Sequence, residues 1–184
     1  LRDLGLRRLA ATFVYPVSIR GGAALDELFD QTRQLLNFNP NPTTPLLGHQ
    51  VAFNIVPAGA TGYRAEHQVS TILGFEGEFG PSISIQSLLG GVFHGVSMSI
   101  FLDFDDDPGE GQILEMLEEN SFVEIVEDPS TLGPIDTADR EEILIGELAA
   151  SRPGSYRLWA VFDNLTRGSA SNIVELAEVL LTER

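Results

Sequence analysis

His94 is the residue in this sequence most easily given a chemical role. It sits in Phe93-His94-Gly95-Val96-Ser97, beside a glycine that lets another backbone or a ligand approach closely. An imidazole there could act as a general base, but a packed, hydrogen-bonded histidine is the favoured reading. His49 and His67 are distant from it in sequence, so no shared metal site is expected, and both read as surface or capping residues. The chain has no cysteine, which removes disulfides, thiolate zinc sites and a cysteine nucleophile from these residues. The acidic run Asp103 to Asp107 before Pro108 could suggest calcium. It lacks the spaced ligands and closing glutamate of an EF-hand loop, so a solvated turn ahead of a helix is expected. The pairs Gly21-Gly22 and Gly90-Gly91 do not make a G-x-G-x-x-G, and there is no Walker loop, G-x-S-x-G or H-E-x-x-H. No catalytic motif emerges from spacing alone.

The elements that must position these residues centre on Gly90 to Phe104. Val96, Met98, Ile100 and Leu102 alternate with Ser97, Ser99, Phe101 and Asp103, the period of a long strand with one buried face. Before it, a helix end stopped near Gly5 runs into a strand at about Arg8 to Ser18. Residues 23–37, AALDELFDQTRQLLN, predict an amphipathic helix with Leu25, Leu28, Phe29, Thr32, Leu35 and Leu36 inward, and Asp26 and Glu27 favourable in its first turn. Gln50 to Val56 reads as a strand and Tyr63 to Leu73 as a weaker helix. An acidic, glycine-rich turn follows at Gly74 to Gly80, then a strand, Ser82 to Leu89, expected to pair with the central one. Beyond the acidic turn come a helix at Gly111 to Asn120, strands at Phe122 to Val126, Ile143 to Leu148 and Tyr156 to Phe162, and a long polar loop at Asp128 to Asp139. A final helix, Ser169 to Leu181, carries Ile173, Val174, Leu176, Ala177 and Leu180 on one face. Strands gathered in one largely antiparallel or mixed sheet with helices packed on it predict an α+β fold.

At 184 residues and 43% hydrophobic content, the chain can build one good core, so residues 1–184 are read as a single domain. Eleven basic against 27 acidic residues give a formal charge of −16, which argues against nucleic acid or an anionic membrane as a partner. No apolar run approaches the roughly 20 residues needed to span a bilayer, and a cytoplasmic location is expected. The sequence opens at Leu1 inside a helical pattern, which suggests residues upstream, with 1–7 the remnant of a connection.

VYPVS, the glycine pair, QTRQLLN, QVAFNIVP, VFHGVS and LWAVFDNLTRGSASNIVELAEVLL follow one another in an order that resembles the C-terminal, dimerisation and substrate domain of aspartate-semialdehyde dehydrogenases. The resemblance is nearest to their divergent USG-1-type relatives, spans essentially the whole chain and is most specific in QVAFN and DNLTRGSASN. It implies an N-terminal nucleotide-binding domain carrying NADP and a cysteine nucleophile, and a C-terminal domain supplying substrate contacts, an acid/base histidine and a homodimer interface. It thus implies no cofactor held by this domain alone, with NADP possible in the full-length protein. Of the family's cofactor-region positions, Gly168 and Asn172 match.

The departures fall on the family's chemistry. Registered on Phe93-His94-Gly95, the substrate-gripping arginine position is Leu89, the Val-Pro pair is Gly90-Gly91, and the proton-shuttling histidine position is Val96. Leucine has no bidentate fork for a carboxylate, and valine moves no proton. His94 shares strand parity with Val96, but a two-residue shift would place its imidazole about 6 to 7 Å away. It remains the fallback catalytic residue. In RAEHQVSTIL the family's lysine and glutamate align with Glu66 and Ser70, with Thr71 retained. Its glutamines align with Tyr15 and Glu175. Three readings stand: a dimerisation domain without the family's catalysis, an NAD(P)-dependent aldehyde oxidoreductase acting on a less charged substrate when joined to a nucleotide-binding domain, or a small-molecule sensor.

Overall fold

A proline decides where the first strand stops. In the computed structural model, which describes residues 1–59, 62–74 and 80–182, strand β1 spans Leu6–Tyr15. It ends short of the predicted Ser18 because Pro16 can donate no ladder hydrogen bond. The helical start is a single 3-10 turn, Arg2–Leu4, closed at Gly5 with φ 75°. After a second such turn, Val17–Arg20, helix α1 spans Gly22–Leu36. Strand β2 is Ile55–Pro57, helix α2 Gly62–Ile72, strand β3 Ser82–Gly90 and strand β4 Val96–Phe104. Helix α3 (Gly109–Glu118), strands β5 (Val123–Ile125), β6 (Ile143–Arg152) and β7 (Ser155–Phe162), and helix α4 (Ser171–Thr182) follow. Most of the glycine-rich turn expected at 74–80 lies outside the described residues.

The strands form one seven-stranded mixed sheet in the order β2-β3-β1-β4-β7-β6-β5, the α+β class expected. β3 does not pair with β4 as predicted. β1 lies between them, parallel to β3 and antiparallel to β4. The connection 91–95 crosses over the end of β1, where the Val17 and Ser18 amides donate to the Val92 and Phe93 carbonyls at 2.8 and 3.2 Å. Sequence-adjacent strands need not be neighbours when a loop can bond to a third.

One core cluster joins Val96, Met98, Leu102 and Phe104 of β4 to Tyr156, Leu158 and Ala160 of β7, with Ile113 of α3 fully buried against them. A fully buried side chain of this size contributes roughly 1.5–3 kcal/mol. The second cluster joins Leu89 of β3 to Ala24 and Leu28 of α1 and to Val51 and Ala52.

α1 keeps Leu28 of the predicted stripe in the core, with Leu25 and Leu35 packed against it, but turns the rest of the inward face to other residues. Ala24, Glu27, Leu28 and Gln31 face inward, while Phe29 and Leu36 are exposed. The Glu27 carboxylate accepts from the Leu46 and Leu47 amides at 2.7 and 3.2 Å and from the Gln31 side-chain amide at 3.1 Å. Gln31 Oε1 accepts from the Val51 and Ala52 amides at 2.9 and 3.1 Å. The same pair explains why Gln50 to Val56 is not a strand over its length. Backbone donors that would have entered a ladder are taken by Gln31, and Phe53 turns to φ 57°. On α4, Ile173, Val174, Leu176 and Ala177 are exposed rather than buried, and the Leu180 side chain lies outside the described residues.

Candidate functional site

The C-terminal ends of β1, β3 and β7 and the start of β4 lie at one end of the sheet. Tyr15 pairs with Leu89, Val14 with Ser97, and Val96 with Phe162. Paired residues share a face, so Leu89, Tyr15 and Val96 stand abreast across three strands. Leu89 and Val96 are only 2% and 1% exposed. The structure therefore brings together three positions that the sequence singled out separately, and none carries a charge.

His94 does not join them as read from sequence. It lies in the 91–95 connection rather than on the strand, and it is exposed rather than packed. Gly95 causes this. Its φ of 82° suits glycine, and a Cβ there would stand 2.7 Å from the Pro134 carbonyl oxygen. The Gly95 amide donates to Asn164 Oδ1 at 3.0 Å, and Asn164 Nδ2 donates to Ser18 Oγ at 3.0 Å. One side chain after β7 thus ties together the entry to β4 and the exit of β1. His49 and His67 are also exposed. Among the described residues no group of three or more His, Cys, Asp or Glu is placed to hold a metal ion.

The remaining positions have structural partners. Glu66 of α2 accepts from the Ile85 amide at 2.8 Å, supplying an acceptor where β2 pairs only with the end of β3. Ser70 is half-buried on the same helix. Glu175 forms a two-pronged ion pair with Arg167 at 2.6 and 2.8 Å, and the guanidinium stacks 3.7 Å from the centre of the Phe122 ring. The pair holds the Glu175 carboxyl below its ordinary pKa and raises Arg167. Gly168 lies in the π-helical turn Thr166–Ala170, where a Cβ would meet the Phe162 ring at 3.0 Å. Asn172 is exposed in the first turn of α4.

Two cavities open beside the row. One, of about 340 Å³, is lined by Leu89, Arg20, His49, Leu46 and Leu47 among others. The other, of about 370 Å³, lies between the sheet and α2, lined by Tyr15, Ser87, Arg20, Gln68, Ile19, Ala58 and Ala65. Arg20 borders both. Burial pushes the Tyr15 phenol up, with the nearby Ser87 hydroxyl partly opposing. Ser87 Oγ is buried, and the Tyr15 phenol is the polar group beside it. Sequence reading missed Arg20, Ser87 and Asn164. Asn164 lies in the specific DNLTRGSASN stretch, and Ser87 alternates on β3, but neither pattern reveals a partner across the fold. Among the described residues the two cavities offer neutral donors, the His49 imidazole and the Arg20 guanidinium, with no proton carrier in the row itself.

The profile of the family described as semialdehyde dehydrogenase, dimerisation domain, matches residues 1–167. An aspartate-semialdehyde dehydrogenase of Rickettsia conorii is 27% identical, over 97% of this chain and 56% of the relative. A USG-1 protein homolog of Pseudomonas aeruginosa is 29% identical, over 98% and 56%. The crystal structure of aspartate semialdehyde dehydrogenase II from Vibrio cholerae superposes with a TM-score of 0.87 at 24% identity, covering 98% of this chain and 56% of that one. The chain spans about half the length of the curated relatives it matches.

Proposed function

The chain belongs to the semialdehyde dehydrogenase dimerisation-domain family, and from that premise we propose that it is the homodimer-forming half of an aspartate-semialdehyde-dehydrogenase-like protein that lacks the family's catalysis. Residues 1–184 act as one unit joined to an N-terminal nucleotide-binding domain, and any NADP belongs to that domain. The observation that carries the reading is the row Leu89, Tyr15, Val96. Two of its three members are buried aliphatic side chains, and aliphatic groups neither grip a carboxylate nor carry a proton. Glu66 strengthens it, since its carboxylate is committed to the Ile85 amide.

The surface for self-association is the sheet face that carries Ser82, Ser84, Gln86, Phe101 and Arg157, all exposed. Small polar residues surround Phe101, which is 50% exposed at the centre, a pattern suited to an aromatic anchor with a polar rim. A hydride-transferring enzyme for a less charged substrate is the second reading, favoured by the cavity beside Leu89.

The test is turnover of aspartate semialdehyde with NADP and phosphate by the full-length protein, beside the Leu89→Arg/Val96→His double variant. No turnover by the natural form is expected. Clear turnover would refute the reading and return attention to His94. Sedimentation across micromolar concentrations should show a dimer, weakened at least tenfold by Phe101→Glu. A natural protein that stays monomeric would remove the dimer part.

A further inference from the structure

We propose that α1 carries a second contact between copies of this chain, in which its stripe Leu25, Phe29, Thr32 and Leu36 packs antiparallel on the same stripe of a partner subunit. This goes beyond the sheet-face contact and does not depend on it.

The stripe itself is the first reason. Each member stands one residue on from an inward-facing one, Ala24, Leu28, Gln31 and Leu35, so the stripe flanks the buried face of the helix. Phe29 is 60% and Leu36 67% exposed, with Leu25 and Thr32 half-buried between core and solvent. Thr32 spends its hydroxyl on the Leu28 carbonyl at 2.8 Å, so it brings no unpaired donor to the stripe. Phe38, just past the helix end, is 96% exposed. Aromatic and leucine side chains lined up on one side of a helix and left in water mark an interface.

The spacing selects a second copy as the occupant. The stripe runs in steps of four, three and four residues, which read the same in both directions. A two-fold axis across the middle of α1 therefore sets Leu25 against the partner's Leu36 and Phe29 against the partner's Thr32, large against small. The next row around the helix, Asp26, Asp30, Arg33 and Asn37, has the same steps. The same axis brings Asp30 within reach of the partner's Arg33, and the reciprocal pair forms with it. Within one helix these two pair at 2.8 Å while remaining exposed, so the guanidinium fork has donors left for a second carboxylate. Phe38 falls opposite the partner's Gly22 and the partner's Ala23. On this chain Ala23 is exposed and a Cβ on Gly22 would meet nothing within 4 Å, which leaves room for the ring. The contact also lies on the far side of the sheet from the self-association face. α1 packs on Leu89, which alternates along β3 with Ser82, Ser84 and Gln86. Both contacts can form at once, and α1 then joins dimers to one another.

The experiment is disulfide trapping of the full-length protein carrying Leu25→Cys and Leu36→Cys, in a glutathione redox buffer, with the linked peptides mapped by mass spectrometry. Within one helix the two positions lie about 16 Å apart along the axis, beyond the reach of a disulfide, so a bond between them joins two copies. A 25–36 bond is expected, with far less trapping by either single-cysteine variant. Phe29→Glu and Phe38→Glu, both at exposed positions, should each cut trapping about tenfold or more. Phe101→Glu, which acts on the opposite face of the sheet, should leave it unchanged, so failure of the sheet-face contact and failure of this one are read separately. A missing 25–36 bond, equal trapping by the single-cysteine variants, indifference to both glutamate substitutions on α1, or loss of trapping with Phe101→Glu would each overturn the proposal.

Discussion

Asp107 shows how one side chain sets the response to acid. The Tyr156 ring is buried in the core, and its hydroxyl reaches the acidic turn, where it donates to Asp107 and accepts from the Gly109 amide at 3.1 Å. The tyrosine bond, and then backbone bonds from Gly154 and Gly109, hold the Asp107 carboxyl below its ordinary pKa, while Tyr156 is raised chiefly by the same bond. For the carboxyl, the stabilisation is complete above the ordinary aspartate range and is lost as pH falls through the lowered value. For the phenol, it is complete below the ordinary tyrosine range and is lost as pH rises through the raised one. Tyr156→Phe should therefore flatten thermal stability against pH at both extremes, with the change at the acid end read by unfolding scans below pH ~4. Gln31 is the second residue whose role is sharp. It is fully buried, and Gln31→Leu would leave the Val51 and Ala52 amides without their acceptor and take one donor from the Glu27 carboxylate, which keeps the Leu46 and Leu47 amides. A loss of about 2–4 kcal/mol in chemical denaturation is expected. From sequence, Glu27 is a favourable first-turn carboxylate and Gln31 an unremarked polar residue. Their burial is set by residues 46–52 folding back over the helix, which no helical period encodes.

Among the elements, periodicity located what local physics determines. The helix at 22–36, the long strand at 96–104 and the hairpin strands β6 and β7 lie close to where alternation and helical spacing put them. Pairing was less legible, because β3 leads to β4 through a connection that crosses the end of β1, where its carbonyls accept from the Val17 and Ser18 amides. Gly95 controls that connection, and so controls where β4 begins. Gly95→Ala should cost about 2 kcal/mol or more, since it combines a positive φ with a Cβ collision against Pro134. Gly109→Ala, at φ 77° with nothing within 4 Å, should cost about 1 kcal/mol. Equal losses at the two positions would show that the Pro134 contact yields. The candidate row was legible in composition but not in geometry. Leu89 and Val96 could be named as replacements from the resemblance, while the nearby Arg20 and Ser87 become visible only when α2 and the Val17–Arg20 turn close over β3.

At the scale of the molecule, no helix among the described residues is long and apolar enough to cross a membrane, and charge dominates. Two copies of a chain at −16 repel each other as they associate. Raising sodium chloride from 50 to 500 mM should tighten the dimer severalfold by screening that repulsion, as measured by sedimentation. Weaker association in high salt would mean that attractive charge pairs across the interface outweigh the net field. β1 carries a further consequence, for synthesis. It is the third strand across the sheet yet the first of the seven in chain order, and its neighbours are residues 82–90 and 96–104. Until both have emerged, LRRLAATFVY travels with its hydrogen-bonding edges unprotected, open to pairing with a neighbouring nascent chain. Arg7 and Arg8 stand at the head of that strand as exposed charges, where they act as gatekeepers for the interval before its partners arrive.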